Sequence, residues 1–176
     1  MIEQLLCVRD DDARLLDIAG ALGEVAAMLE RRTTGTEDDA RRPGVSLGDP
    51  VTGAHNALAP PVRLGSAGSV ITGEVRFTLP YQGPKGLAHG GYMAMTLGHA
   101  LATAVSQGMP GVQVTTERLM IRYRRPVRLN TPATVIARPA GNAGHRLRAV
   151  GELRVAGALA VSAEGLYVRR DGDRRD

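Results

Sequence analysis

Residues 81–107 read YQGPKGLAHGGYMAMTLGHALATAVSQ, and this stretch decides the fold. From His89 to Gln107 the apolar side chains fall on almost every side of a helical wheel, which predicts a buried helix rather than a surface one. Gly108, Pro110 and Gly111 then end the helix,. A helix that is apolar all round needs a curved sheet wrapped around it.

Strand-like runs lie on both sides of this helix. Alternating side chains predict one strand between Val70 and Leu79,. Further runs follow the helix, at Val112–Tyr123, Ala133–Arg138, Arg146–Val155 and Ala158–Val168, and they are divided by turn residues at Pro126 with Asn130, at Gly141–Gly144 and at Gly157,. The predicted class is α+β, a hotdog fold in which a curved antiparallel sheet wraps one long buried helix. A generic α+β sandwich is the alternative that the pattern alone leaves open.

The N-terminal part predicts an extra amphipathic helix. Between Asp10 and Arg32 apolar residues recur at helical spacing, with acidic residues at the start and two arginines at the end, as suits the helix dipole,. Thr33–Pro61 is rich in glycine, proline and polar residues and has no period,. The expected organisation is therefore an N-terminal helix and arm over 1–61, the hotdog domain over 62–168 and a charged tail over 169–176.

The composition excludes several classes of function. Aromatic residues make up 3% of the 176 residues and tryptophan is absent, which argues against a stacking platform for nucleic acid,. The formal charge of +4 is spread without a basic run, and an anionic small molecule explains it equally well,. We expect no nucleic-acid partner and, without an apolar stretch of about 18 residues, no membrane span.

Cys7 is the only cysteine, so an intramolecular disulfide is impossible and a reducing compartment is the simpler interpretation,. The N-terminus has neither a basic nor an apolar signal region,. We therefore expect a cytoplasmic protein. The spacing of His89, His99 and Glu117 matches no metal site, so no metal is expected.

The loop that leads into the buried helix carries the candidate chemistry. A helix N-terminus offers unpaired N–H groups and a partial positive charge, which suit the oxyanion that forms when a thioester carbonyl is attacked. Glycines at this point let a carbonyl approach the backbone closely. The alternative is a plain loop-to-helix turn in which His89 only caps the helix.

Four motifs resemble those of the PaaI-like acyl-CoA thioesterases, over about two thirds of the chain. Residues 81–91 resemble the family's Tyr-x-Gly-Pro-x-Gly-x-x-His-Gly-Gly signature. Asn56–Pro61 resembles an Asn-Pro-x-Ala-Pro-Pro segment, and Thr116–Pro126, ending in Tyr-Arg-Arg-Pro, resembles a later strand. Ala163–Val168 fits the final strand of the family.

The resemblance implies a hotdog homodimer, often paired into tetramers, that binds acyl-CoA in a tunnel at the dimer interface. Coenzyme A would be part of the substrate, and no other cofactor is expected. Carried over by position, Gly91 would supply the oxyanion N–H, His89 would position that loop, and Thr116 would orient the attacking water. Asn56 and Gly90 would contact the substrate.

Three arginines are candidates for the phosphates of the substrate: Arg124, Arg125 and Arg146. A guanidinium group binds phosphate through two hydrogen bonds at once. The alternative for each is a solvated surface charge.

The sequence departs from the family at one position that matters. Members carry an Asp or Glu nine residues after the histidine as base or nucleophile, and here that position is Gly98. Losing a positioned base costs about 10²–10⁴-fold in rate. The standard mechanism therefore cannot run in this chain.

Two residues could replace the missing base. Alternation along the strand places Glu117 on the side of Leu119 and Ile121, toward the helix, unless the strand end twists it into solvent,. His99 follows Gly98, but one helical residue turns a side chain by about 100°. Thr116 lies outside this alternation, so its role requires a bulge at the strand start.

Three functions remain open at this stage. The first is hydrolysis of an acyl-CoA or acyl-carrier-protein thioester with a relocated base such as Glu117. The second is an acyl-thioester-binding protein without hydrolysis. The third is a proton-transfer enzyme of dehydratase type, for which His99 would serve better.

Overall fold

Two helices and six strands make up the part of the chain that the computed structural model describes, which is residues 14–30, 51, 56, 58–107 and 113–169. The helices are α1 (Arg14–Glu30) and α2 (Gly90–Gln107), with a single 3₁₀ turn at Leu79–Tyr81. The strands are β1 (Val62–Ala67), β2 (Val70–Arg76), β3 (Val114–Tyr123), β4 (Pro132–Ala143), β5 (Arg146–Val155) and β6 (Ala158–Arg169). The predicted ends of the first helix, most of the arm and the tail after 169 lie outside the described residues.

The strands form one antiparallel sheet in the order β1-β2-β4-β5-β6-β3. Helix α2 packs across it and contacts β2, β3, β4, β5 and β6. This is the predicted hotdog arrangement with an additional N-terminal helix, and the prediction is confirmed. The edges of the sheet are β1 and β3, so β3 has only β6 as a neighbour.

The core lies between α2 and one face of the sheet. The helix contributes Met93, Thr96, Leu97, Ala100, Leu101, Ala104 and Val105, and the sheet contributes alternate residues such as Val135, Ala149, Leu153, Val161 and Tyr167. The buried polar side chain on α2 is satisfied, since the Thr96 hydroxyl donates to the carbonyl of Tyr92 at 2.8 Å. Burying these side chains is the main source of stability.

One chain alone buries only part of the apolar surface of α2. Its sheet-facing side is buried, but Met95 on the opposite side is 41% exposed, and Leu119 on the edge strand is 38% exposed. The physical reason is that a single layer of sheet covers only one side of a helix. An apolar face of α2 therefore remains open next to β3.

Two strand boundaries differ from those predicted. The segment before α2 forms a hairpin of two strands, β1 and β2, where the sequence predicted one. Strand β4 continues to Ala143, because a register shift between Pro139 and Gly141 keeps the predicted turn residues within the strand,. The remaining turn is short and uses Gly144 at a φ of 62°.

Candidate active site

The loop that precedes α2 is held in one compact shape by its own backbone. The N–H of Gly83 donates to the carbonyl of Leu87 at 2.9 Å, and the N–H of Gly86 donates to Oε1 of Gln82 at 2.9 Å. A Cβ at Gly83 would lie 2.9 Å from Cα of His89, closer than real side chains allow. Glycine at 83 therefore lets the loop pack directly against the start of α2.

Four hydrogen bonds fix this loop to the rest of the fold. On one side, the N–H of Ala88 donates to the carbonyl of Val127 at 2.9 Å, and the N–H of Leu129 donates to the carbonyl of Gly86 at 3.0 Å. On the other, the N–H of His89 donates to the carbonyl of Tyr81 at 2.8 Å. The Tyr81 hydroxyl in turn donates to the carbonyl of Ala59 at 2.6 Å. The start of α2 is thus set rigidly in place.

The first turn of α2 leaves one N–H group open. The N–H groups of Tyr92 and Met93 donate to the carbonyl of His89 at 3.2 and 3.3 Å. The N–H of Gly91 donates to Nδ1 of His89 at 2.9 Å. For the N–H of Gly90, the described part of the chain offers no acceptor.

His89 therefore caps α2, which is the role that the alternative interpretation of this loop gave it,. The N–H of Gly91, the predicted oxyanion donor, is already occupied by His89. The open donor is one residue earlier, at Gly90.

Tyr123 packs against Gly90. Its hydroxyl donates to the carbonyl of Gly90 at 2.8 Å, and a Cβ at Gly90 would approach that hydroxyl to 3.2 Å. The side chain is 53% exposed, so its ring forms part of the surface that a ligand meets. The sequence motif contained Tyr123 but predicted no role for it, because contacts between β3 and α2 do not follow from local pattern.

A pocket of about 370 Å³ opens beside Gly90 and Tyr123. Its other walls are mainly apolar, from Pro84, Leu87, Ala88, Met93, Pro126 and Val127. Arg124 and Arg125 also line it, so two of the three predicted phosphate ligands do lie beside the start of α2. Their backbone N–H groups both donate to the carbonyl of Ala160, at 2.8 and 3.1 Å.

A β-bulge decides which way the start of β3 faces. Thr116 is paired with Tyr167 and Arg118 with Leu166, so Glu117 is an extra residue between them. Because paired residues share a face and Tyr167 is buried against α2, Thr116 lies on the helix side of the sheet,. The bulge that the role of Thr116 required is therefore present.

Glu117 adopts the outward of the two orientations that the sequence left open, as expected if the strand end turns it into solvent. Its two carboxylate oxygens accept hydrogen bonds from Nε and Nη2 of Arg146, both at 3.1 Å. Arg146 lies on the outer face, because it is exposed while its neighbour Leu147 is buried. The bulge turns Glu117 to that same face.

Three other predicted residues also lie away from the pocket. Arg146 is neutralised by Glu117, which removes it as an isolated phosphate ligand. Asn56 stabilises a turn. Its Oδ1 accepts a hydrogen bond from the N–H of Leu58 at 2.9 Å, and its Nδ2 donates to the carbonyl of Val51 at 3.2 Å. His99 is half-buried on α2, further along the helix than the pocket.

The surroundings of Gly98 are apolar. A Cβ at this position would meet Cδ2 of Leu119 at 3.2 Å, so Gly98 faces the edge strand. Its carbonyl accepts a hydrogen bond from the hydroxyl of Tyr167 at 3.4 Å. Burial raises the pKa of Tyr167 from its ordinary 10.0 to about 12, so this hydroxyl remains a donor even in alkaline solution,.

Within the described ranges, no three His, Cys, Asp or Glu side chains lie close enough together to hold a metal ion. Neither described helix combines the length and apolar character needed to cross a membrane.

Comparison with known proteins gives a consistent result. The sequence model of the thioesterase superfamily matches residues 85–154. A crystal structure of a thioesterase superfamily protein is 35% identical, with a TM-score of 0.79, and the match covers 93% of this chain and 87% of that one. Among curated proteins, none is significantly similar in sequence.

More distant structures share the fold. A putative thioesterase related to phenylacetic acid degradation, from Ralstonia eutropha, is 20% identical with a TM-score of 0.57, and the match covers 61% of this chain and 84% of that one. A point mutant of the phenylacetic acid degradation protein PaaI from Thermus thermophilus is 17% identical with a TM-score of 0.57. That match covers 62% of this chain and 93% of the other.

Proposed function

This chain belongs to the thioesterase superfamily, and on that basis we propose that it hydrolyses an acyl-CoA thioester in a site built by two copies of the chain. Coenzyme A enters as part of the substrate, and the proposal needs no other cofactor. The observation that carries it is the open N–H of Gly90, at the mouth of an apolar pocket that Tyr123 also lines.

The proposed chemistry uses this N–H as the oxyanion donor. The thioester carbonyl oxygen accepts a hydrogen bond from Gly90, and the partial positive charge of the α2 N-terminus favours the negative charge that develops there. Water adds to the carbonyl carbon, and collapse of the tetrahedral intermediate breaks the carbon–sulfur bond and releases the CoA thiol. In this proposal Thr116 orients the water from another copy of the chain, because its pairing with Tyr167, which bonds to Gly98, puts it far from Gly90 of its own chain.

The geometry of α2 argues for a second copy. Gly98 is eight residues after Gly90, which is about 12 Å along a helix axis. A base at 98 therefore cannot reach a carbonyl held at Gly90 of the same chain, and can act only on a thioester at another copy. The open apolar side of α2 and the unpaired edge of β3 supply a surface for that copy,.

The missing carboxylate favours a second candidate function. Gly98 has no side chain, and Glu117 is held by Arg146 on the other face of the sheet. A site that keeps the oxyanion donor and the pocket but has no base binds a thioester better than it cleaves it. The second candidate is thus an acyl-thioester-binding protein, which is recognised by acyl-CoA binding without release of free thiol.

Removing the Gly90 N–H tests the proposed donor. Gly90→Pro deletes that N–H at the first helical position, where proline is tolerated. Gly90→Ala is the matched control, because it adds a Cβ near Tyr123 but keeps the donor. We expect kcat for acyl-CoA hydrolysis to be about 10²–10³-fold lower in Gly90→Pro than in Gly90→Ala, measured by thiol release. Equal rates in the two variants would contradict the assignment.

Restoring a carboxylate tests the two-copy site. Gly98→Asp places a base where the family carries one, and Gly98→Asn has the same shape without the charge. The added Cβ meets only the end of the Leu119 side chain, which can shift. We expect kcat in Gly98→Asp to exceed that of both Gly98→Asn and the natural protein by about 10-fold or more. If the Asp and Asn variants are equally active, position 98 does not face a bound thioester.

The oligomeric state tests the surface between the copies. Leu119→Lys puts a charge on the exposed edge of β3, which opposes pairing of that edge. Leu58→Lys makes the same change at another exposed leucine, outside the sheet. We expect sedimentation to show a dimer or tetramer for the natural protein and for Leu58→Lys, and a monomer for Leu119→Lys. A monomeric natural protein would exclude the two-copy site.

A further inference from the structure

Helix α1 is amphipathic, but none of its described side chains is buried. Apolar residues recur along it at intervals of three and four, as in Ile18, Leu22 and Val25, and so form one stripe,. The exposed fraction is 39% for Leu22, 52% for Val25 and 61% for Met28. Because an isolated helix of 17 residues is marginal in water, α1 needs a partner that covers this stripe,.

The described part of the same chain does not cover the stripe of α1. Helix α2 packs on five strands of the sheet, whereas neither α2 nor any strand packs on α1. The hotdog domain of the same chain is therefore not the partner of this helix.

Charge is divided unevenly between the N-terminal part of the chain and the hotdog domain. Residues 1–61 hold 11 of the 18 acidic residues and 6 of the 22 basic ones, which gives a formal charge of −5. Residues 62–168 hold 4 acidic and 12 basic residues, which gives a formal charge of +8. Opposite charges of this size attract the N-terminal part of one copy to the hotdog domain of another.

The outer face of the sheet, on the side away from α2, offers a surface of matching character. A groove of about 540 Å³ crosses strands β4, β5, β6 and β3 on this face, and we call it the outer groove. Half-buried Ile136 and Val150 supply apolar surface within it. Arg122 and Arg138 also line it, and neither has an ion pair within the described part of the chain.

The two carboxylates of the outer groove do not cancel its positive charge. Glu152 accepts a hydrogen bond from Nε of Arg154 at 2.7 Å, and Glu164 accepts one from Nη2 of Arg148 at 2.6 Å. Each of these arginines stands outside the lining and compensates one carboxylate. The outer groove therefore suits an apolar segment that is flanked by negative charge.

Helix α1 has the length and the pattern that this surface requires. Its 17 residues make a helix of about 25 Å, which is enough to cross four strands spaced about 4.8 Å apart,. Asp17 and Glu24 are two turns apart, and each directly precedes a residue of the apolar stripe. Both carboxylates therefore lie on the same flank of the stripe.

We propose that α1 of one copy lies in the outer groove of a second copy, with its apolar stripe on Ile136 and Val150. Asp17 and Glu24 would then face the arginines of that groove. This contact is independent of the chemistry at Gly90. One helix covers less area than the roughly 1,200–2,000 Å² of a stable interface, so the contact adds to pairing at β3 and does not replace it.

Hydrogen exchange of the full chain tests whether α1 is docked. Docking protects the amides of α1, whereas an isolated helix of this length leaves them nearly unprotected. We expect protection in the natural protein, and a loss of about ten-fold or more when Arg122→Gln is combined with Arg138→Gln. The matched control, Arg63→Gln with Arg76→Gln, removes the same charge from β1 and β2 outside the groove and should keep the protection.

Two results of this exchange experiment would overturn the proposal. One is an α1 that exchanges as fast as a free peptide, or equally fast in both arginine pairs. The other is full protection of α1 in a monomeric Leu119→Lys variant, because the helix would then be docked on its own chain.

Cross-linking between copies locates the contact. All variants carry Cys7→Ser, one tagged copy carries Ala21→Cys on the stripe side of α1, and a differently tagged copy carries Ser162→Cys in the outer groove. We expect a short bismaleimide to join the two into a product with both tags. Ala27→Cys, on the opposite side of α1, is the matched control and should give little product with Ser162→Cys.

The remaining cross-linking results would contradict the proposal. Equal product from Ala21→Cys and Ala27→Cys means that α1 has no defined orientation on the sheet. Product with Met95→Cys and none with Ser162→Cys means that α1 covers the open side of α2 instead. Neither result depends on thiol release, so the proposed hydrolysis stands or falls separately.

Discussion

The packing of α2 against one face of the sheet is the interaction on which the other features depend. Leu97, Ala100 and Leu101 are fully buried there, and the strands supply alternate side chains to meet them. This contact decides which residues of every strand face the helix and which face outward. It also holds the N-terminus of α2 against the loop that ends at His89, so the open N–H of Gly90 has a fixed direction.

One extra residue in β3 changes what the site can do. Without the bulge, strict alternation would put Glu117 beside α2 and Thr116 outside. With it, Thr116 faces the helix and Glu117 joins Arg146 on the outer face. The helix side thus gains a hydroxyl and loses a carboxylate. Together with Gly98, this leaves the helix side without a carboxylate at either position where the sequence suggested one.

The sequence predicted the architecture well, because periodicity and turn chemistry report directly on helices and strands. The buried face of α2, strand β5 and the position of His89 at the loop all follow from local pattern. The open side of α2 could not be predicted from the sequence, because a helical wheel cannot show how far one sheet extends around the helix. The bulge at Glu117 could not be predicted either, since a one-residue insertion is recognised only when the pairing with the partner strand is known.

The candidate functional groups likewise include some that local sequence predicted and some that it did not. The motif predicted Gly91 as the donor, whereas hydrogen bonding within the loop occupies the N–H of Gly91 and leaves that of Gly90 open. The contact of Tyr123 with Gly90 joins β3 to the start of α2, and no local spacing encodes it.

The central claim is that a substrate carbonyl is held by the N–H of Gly90. Amide NMR of the protein with a ketone analogue of acyl-CoA, which keeps the carbonyl but has no bond to cleave, addresses it most directly. The account predicts that the Gly90 amide proton shifts downfield on binding while the Gly91 amide, bound to His89, stays near its free position. A shift at Gly91 with none at Gly90 would contradict it.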